Sequence, residues 1–240
     1  MNLVIDIGNT LHKIALFDEK EQLIRVETVS KLSLDKLQEI VSHGSVKRSI
    51  ISKVGVMDPA IIDFLEMNTE YIVFDQSSRL PILIDYQTPE SLGLDRIACS
   101  VAAAALFPKN HCLSVQLGSC IVYDFVNNRS VYMGGAISPG LLMRFKSLHQ
   151  FTAQLPLVDL DHIDYFMGQN TQQSIKSGVI NGAVFEIDGQ IEAYKSQFSE
   201  VKVLLTGGDL PYLQKSIKNQ IFATPNLVLV GLNKILNLNV

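Results

Sequence analysis

The chain has 240 residues, 47% of them hydrophobic and 18% charged, which is enough apolar side chain for one large core or two medium ones and excludes a disordered chain. Twenty Lys and Arg against twenty-four Asp and Glu leave a net charge of -4, and the longest basic run is the pair Lys47-Arg48, so no nucleic-acid surface is expected. Three cysteines, Cys99, Cys112 and Cys120, have neither disulfide-framework nor zinc-ribbon spacing and point to a reducing compartment.

The best apolar run, Ile97 to Phe107, has about half of the ~20 residues that a membrane-spanning helix needs. With Asp6 already near the start and no cationic segment ahead of an apolar one, a cytoplasmic location without membrane association is expected. Leu3-Val4-Ile5 reads as a buried strand, Gly8-Asn9 as a turn and Lys13 to Asp18 as a returning strand. Leu34, Leu37, Ile40 and Val41 have helical spacing. Ser49 to Val54 reads as a strand, Pro59 opens a helix through Leu65, and Tyr71 to Phe74 is a further short strand. Ser91 to Phe107 reads as one long apolar helix stopped by Pro108.

Cys112 to Leu117 then feeds a turn at Gly118, and Ile121 to Val126 returns. The order strand, D-I-G-N-T, strand at the start therefore recurs as strand, Q-L-G-S-C, strand. Such a repeat predicts tandem α/β lobes, 1–108 and 109–240, with a nucleotide cleft between them. Helices follow around 141–150 and 174–194, then a strand at 201–205 that ends in Thr206-Gly207-Gly208-Asp209. The last stretch, 227–238, has helical spacing with enough polar residues to pack on a surface.

In D-I-G-N-T, a carboxylate at a strand end precedes a glycine that lets a phosphate approach main-chain N–H groups. Asp6 could hold a hydrated Mg²⁺, and Asn9 and Thr10 add donors; the same four-residue pattern is also an ordinary hairpin turn. Gly118-Ser119 and Gly207-Gly208 supply two more strand-end loops, the latter suited to the adenosine end of a nucleotide. Asp95 and Arg96 stand at the start of an apolar helix, where charge is costly unless paired or used. Asp95 could serve as a general base, orient a nucleophile or only satisfy the helix dipole, and Arg96 offers bidentate contact to a carboxylate or phosphate. The run Gly134 to Leu141 could bind an anion ahead of a helix or be a structural crossover. None of the five histidines has metal-ligand spacing.

D-I-G-N-T at 6–10, L-G-L-D-R at 92–96, G-G-A-I-S-P-G-L at 134–141 and T-G-G-D at 206–209 together resemble the type III pantothenate kinase family of the actin-like superfamily. The resemblance implies two ribonuclease-H-like lobes and a homodimer with its active site near the subunit interface. It also implies transfer of phosphate from ATP to pantothenate, with Mg²⁺ and a monovalent cation, K⁺ or NH4⁺, as the first step of coenzyme A synthesis. By motif position it places Asp6, Gly8, Asn9 and Thr10 at the phosphates, joined by Gly118, Ser119, Gly207 and Gly208. Asp95 becomes the base toward the pantothenate hydroxyl, and Tyr86, Gly93 and Arg96 line the pantothenate pocket. Thr171 resembles the threonine that reaches that pocket from the partner subunit. One position departs from the pattern: where the family's second loop reads D-x-G-T, this chain has Gln116-Leu117-Gly118-Ser119. A neutral amide replaces the carboxylate associated with the monovalent cation, which keeps a weakly active or accessory protein of the same fold as the alternative.

Overall fold

Leu3, Val4 and Ile5 are apolar and wholly buried, so β1 (Asn2–Ile7) runs through a core with both faces covered. The computed structural model describes residues 1–8, 11–43, 45–53 and 57–240, with His43 and Lys53 described by backbone alone. β2 (His12–Phe17) returns antiparallel with Ile14 opposite Ile5 and Leu16 opposite Leu3, and β3 (Leu23–Val29) follows on its outer side. After α1 (Leu34–His43), β4 (Arg48–Lys53) pairs parallel with β1, and α2 (Pro59–Asn68) leads to β5 (Glu70–Val73). The strand order is β3-β2-β1-β4-β5. The two-residue β6 (Leu83–Ile84) and a turn of 3₁₀-helix at Pro89–Ser91 precede α3 (Leu94–Leu106).

The second unit, residues 107–226, repeats this plan. It contains β7 (His111–Leu117), β8 (Cys120–Val126), β9 (Val131–Pro139), α4 (Leu141–Gln150), α5 (Thr171–Gln197), β10 (Val201–Thr206), α6 (Leu210–Leu213) and β11 (Phe222–Ala223). Its strands lie in the order β11-β10-β7-β8-β9, with β7 antiparallel to β8 and parallel to β10, as β1 is to β2 and β4. The recurrence of Q-L-G-S-C after D-I-G-N-T thus marks the same hairpin, β7-β8 and β1-β2, in two ribonuclease-H-like units.

Three features differ from the sequence expectations. The last helix, α7 (Leu227–Asn239), belongs with residues 1–106, so the expected 109–240 lobe loses its final segment. Its residues Leu229, Leu232, Ile235 and Leu236 are wholly buried, and Gly231 presses against the Ala98 backbone of α3. This is core packing, and the polar Asn233 is buried too, accepting a hydrogen bond of 2.8 Å from Asn2. Second, the glycine run at 134–139 is strand β9, where Gly135 leaves room for the Tyr123 carbonyl at an irregularity in the β8-β9 register. Third, β3 is an added edge strand, L-I-R-V-E-T-V, whose β-branched residues alternate with Arg25 and Glu27 as in a strand with one face toward solvent.

Candidate active site

In the first unit the site grows from the end of β1 and the start of α3. Asp6 is cross-strand partner to Lys13, and its carboxyl is pushed up to about 6 by burial first and by the neighbouring Asp95 carboxylate second, with Lys13 pulling the other way. Asp95 is exposed in the first turn of α3, whereas the next residue, Arg96, is only 8% accessible. The Arg96 guanidinium lies 6.0 Å from the centre of the Tyr86 ring, a cation–π distance. Gly93 leaves space for the Asp95 carboxylate, since a Cβ there would stand 2.7 Å from Oδ1. The loop before it is tied down by Gln76 Nε2, which donates to the Leu92 carbonyl at 2.9 Å. Asp6, Tyr86, Gly93, Asp95 and Arg96 are therefore gathered in one unit, with Gly8 directly after β1. The expected donors Asn9 and Thr10 lie outside the described residues.

Two carboxylates that repel each other beside a strand-end glycine fit a hydrated divalent cation, which needs one or two carboxylates and completes its shell with water and phosphate. Among the described residues no group of three or more His, Cys, Asp and Glu forms an all-protein metal cage. The energetics of Asp6 give a first prediction. A carboxyl raised from 3.8 to about 6 costs the folded state on the order of 2–3 kcal/mol once ionised. The folded protein binds this proton more tightly than the unfolded chain, so the cost is absent below about pH 4 and complete above about pH 6. Asp6→Asn should therefore gain stability over wild type as pH rises through that window. Denaturant melts at pH 4 and pH 7.5 check this, and an equal difference between the two proteins at both values would refute it.

In the second unit three strand ends meet. Gly140, buried ahead of α4, donates its N–H to the Ser119 carbonyl at 3.1 Å, and a Cβ on it would overlap the Gly118 carbonyl. Gly207, with φ of +108°, packs on the Leu117 carbonyl, and Asp209 N–H donates to the same oxygen at 3.0 Å. The Asp209 carboxylate accepts from the Leu141 N–H at the start of α4, and burial raises its pKa. Chain geometry thus explains Gly140 and Gly207. Gly118 and Gly208, by contrast, face open space where a Cβ would meet no protein atom, as backbone approached by a ligand should. Sequence reading assigned no role to Asp209, although the T-G-G-D motif contains it.

Gln116, at the end of β7, turns its amide nitrogen to Asp124 Oδ2 at 3.5 Å. Asp124 is fully buried and also accepts from the Tyr132 hydroxyl at 2.8 Å. With its amide nitrogen turned to a buried carboxylate, Gln116 brings a carbonyl oxygen but no charge to this strand end. Thr171 is the exposed first residue of α5, whose N-cap Asn170 accepts from the Gln173 N–H at 2.9 Å. Its chain neighbours Asn170 and Gln172, not Thr171 itself, line a cleft of about 440 Å³ together with Asp161, His162, Tyr165 and Lys176. Phe166, Met167 and Phe185 nearby are exposed, at 68%, 79% and 53%, on an apolar face of this unit.

A profile described as type III pantothenate kinase matches residues 2–193. A type III pantothenate kinase of Cytophaga hutchinsonii is 44% identical over 240 residues, all of both chains, and one of Bacteroides fragilis is 42% identical over all of this chain and 98% of its own. Among solved structures, a protein of Campylobacter jejuni described as a Baf family transcriptional activator superposes with a TM-score of 0.59 at 22% identity, covering 99% of this chain and 98% of that one. One of Listeria monocytogenes described as an N-acetylmannosamine kinase reaches 0.53 at 12%, covering 99% and 98%. Both structures share the two-lobed actin-like fold.

Proposed function

The chain belongs to the type III pantothenate kinase family, and from that premise we propose that it transfers the γ-phosphate of ATP to pantothenate, giving 4'-phosphopantothenate for coenzyme A synthesis. One observation carries the assignment of roles: an exposed Asp95 carboxylate stands beside Asp6 and next to a buried Arg96 stacked on Tyr86. Asp95 accepts the proton of the pantothenate hydroxyl as that oxygen bonds to the γ-phosphorus. The bond from phosphorus to the β-bridging oxygen breaks, and ADP leaves with the electron pair. Arg96, its plane held by the Tyr86 ring, receives the pantothenate carboxylate in bidentate fashion, and Gly93 keeps the floor of the pocket free of a side chain.

Asp6 is the residue to hold Mg²⁺ through water, which would neutralise phosphate charge. Gly8, Asn9 and Thr10 address the phosphates, as do Gly118 and Ser119, and Gly208 takes the adenosine end while Gly207 turns the chain ahead of it. Open space over Gly118 and Gly208 supports this division. A homodimer in which Thr171 reaches the partner's pantothenate pocket is supported by the exposed apolar face around Phe166, Met167 and Phe185. Among the described residues no helix is long and apolar enough to cross a membrane. The reading is tested by pantothenate-dependent ADP release with Mg-ATP; failure to release ADP at millimolar ATP, with K⁺ or NH4⁺ supplied, would overturn it.

Residue 116 brings no charge to the strand end, and no step is routed through a monovalent cation. Gln116→Asp would set a second carboxylate beside the buried Asp124 and replace a hydrogen bond by repulsion, costing about 1–3 kcal/mol. The variant is expected to melt lower than wild type in choline chloride and to regain stability in KCl. Wild type should melt alike in both salts at equal ionic strength. A K⁺-dependent gain of similar size in wild type would contradict this.

A further inference from the structure

We propose that Arg144 and Glu186 are a positioning pair for the nucleotide loops: they hold the Ser138-Pro139-Gly140 junction at the height that sets the Gly118-Ser119 loop. The inference rests on reading that loop as a phosphate loop. Glu186, on α5, gathers groups from three other elements. Its Oε1 accepts from the Tyr123 hydroxyl of β8 at 2.9 Å and from Ser138 Oγ of β9 at 2.5 Å, and its Oε2 is paired with Arg144 Nη2 of α4. Arg144 in turn donates from Nε to the Pro139 carbonyl at 2.8 Å and from Nη2 to Ser138 Oγ at 3.4 Å. One carboxylate and one guanidinium thus fix two consecutive residues immediately before Gly140.

That junction is the point at which position is passed to the loop. Pro139 stands opposite Cys120 and Ser138 opposite Ile121, so β9 is in register with the residues directly after Ser119. Gly140 then donates to the Ser119 carbonyl and packs without a side chain against Gly118. The contact is main chain to main chain, so a displacement of Pro139 cannot be absorbed by a rotamer change and shifts Gly118 and Ser119 with it. On the other side the loop is fastened through Leu117, which accepts from the Asp209 N–H, and the Asp209 carboxylate returns to Leu141. Only the tip, Gly118 and the exposed Ser119, is left to meet a ligand.

The pair is a poor device for stability alone. Its members remain 20% and 27% accessible, and a half-buried ion pair gains little net free energy after desolvation. Its four-element geometry, with Nη2 on Glu186 and Nε on the Pro139 carbonyl, gives orientation, which a nucleotide loop needs to within a fraction of an ångström. Arg144 and Glu186 touch neither substrate in this scheme and act through Pro139 and Gly140.

The test compares wild type with Arg144→Lys, which keeps the charge but loses the Nε donor to Pro139. Glu186→Gln is the second variant, keeping acceptors for Tyr123 and Ser138 while removing the charge that orients the guanidinium. Both should raise KM for ATP about tenfold and weaken the calorimetric Kd for ADP by a similar factor, with KM for pantothenate within about twofold of wild type. A purely structural role predicts a lower melting temperature with the ADP Kd unchanged, or both KM values moved equally, and either result overturns the proposal. If Arg144→Lys does not fold, Glu186→Gln decides by the same readouts; unaltered ADP binding in it refutes the pair. Wild type that binds ADP yet leaves pantothenate unphosphorylated overturns the substrate assignment alone, because the Kd comparison still decides the pair. Wild type that binds no ADP overturns both.

Discussion

Asp95→Asn is expected to lower kcat for pantothenate phosphorylation by about 100- to 10,000-fold, the range that a positioned general base contributes. The amide has nearly the shape of the carboxylate and meets the same space left by Gly93, so α3 should start where it does now. It cannot take the hydroxyl proton. KM for ATP should stay within about threefold, because no ATP-binding role falls on this residue. A second consequence follows from its charge: Asp95 is one of the groups holding the Asp6 carboxyl up, so in Asp95→Asn the Asp6 carboxyl should titrate lower than in wild type. Steady-state ADP release measures the first effect, and NMR titration of the carboxyl carbons the second. A kcat within about tenfold of wild type would remove Asp95 from the chemistry and leave it as a dipole partner.

Gly231→Ala should destabilise the protein by at least about 2 kcal/mol, lowering the melting temperature by roughly 4–8 °C for a chain of this size. The usual sign is the opposite, since replacing glycine inside a helix by alanine gains about 1 kcal/mol from propensity. Here the new methyl would overlap the Ala98 carbonyl oxygen, its carbon standing 2.5 Å away, and both belong to the backbone of a buried helix. Relief requires α7 to move off α3. Ala98→Gly cannot rescue the variant, because the obstructing atom is main chain. The effect should reach catalysis as well, since Asp95 and Arg96 begin the helix on which α7 packs. A thermal melt with unchanged or higher midpoint would refute this account of the α3-α7 contact.

Much of the fold is legible because its signals are local. Short apolar runs at β1, β4, β7 and β10, and helical spacing at α1, α2, α4 and α5, are properties of adjacent residues. The repeated strand, glycine turn, strand pattern reveals the duplication because each hairpin must satisfy its own turn. What escaped has weak or distant causes. The two-residue β6 is too short to stand out, and β9 hides behind Gly134 and Gly135, which look like a loop until the Tyr123 carbonyl is seen to need the space. Thr171 as first residue of α5 was missed because its cap, Asn170, precedes a polar turn with no apolar period.

The site divides in the same manner. Four short motifs, through their joint resemblance to a known family, pointed to an α/β kinase and to Asp6, Asp95 and Arg96 as the groups proposed to react and bind. A strand-end carboxylate with glycine also suits a hairpin turn, and a charged pair opening an apolar helix also suits the helix dipole, so it is their joint occurrence that points to a site. Tertiary structure alone decided which unit α7 completes. It also decided which glycines serve the chain and which leave room for a ligand, that Gln116 faces Asp124, and that Glu186 joins β8, β9, α4 and α5. Each of these depends on atoms brought together from distant segments, as with Tyr123 and Glu186, which are 63 positions apart. No local periodicity encodes such a meeting, because it is the closing of the core that selects it.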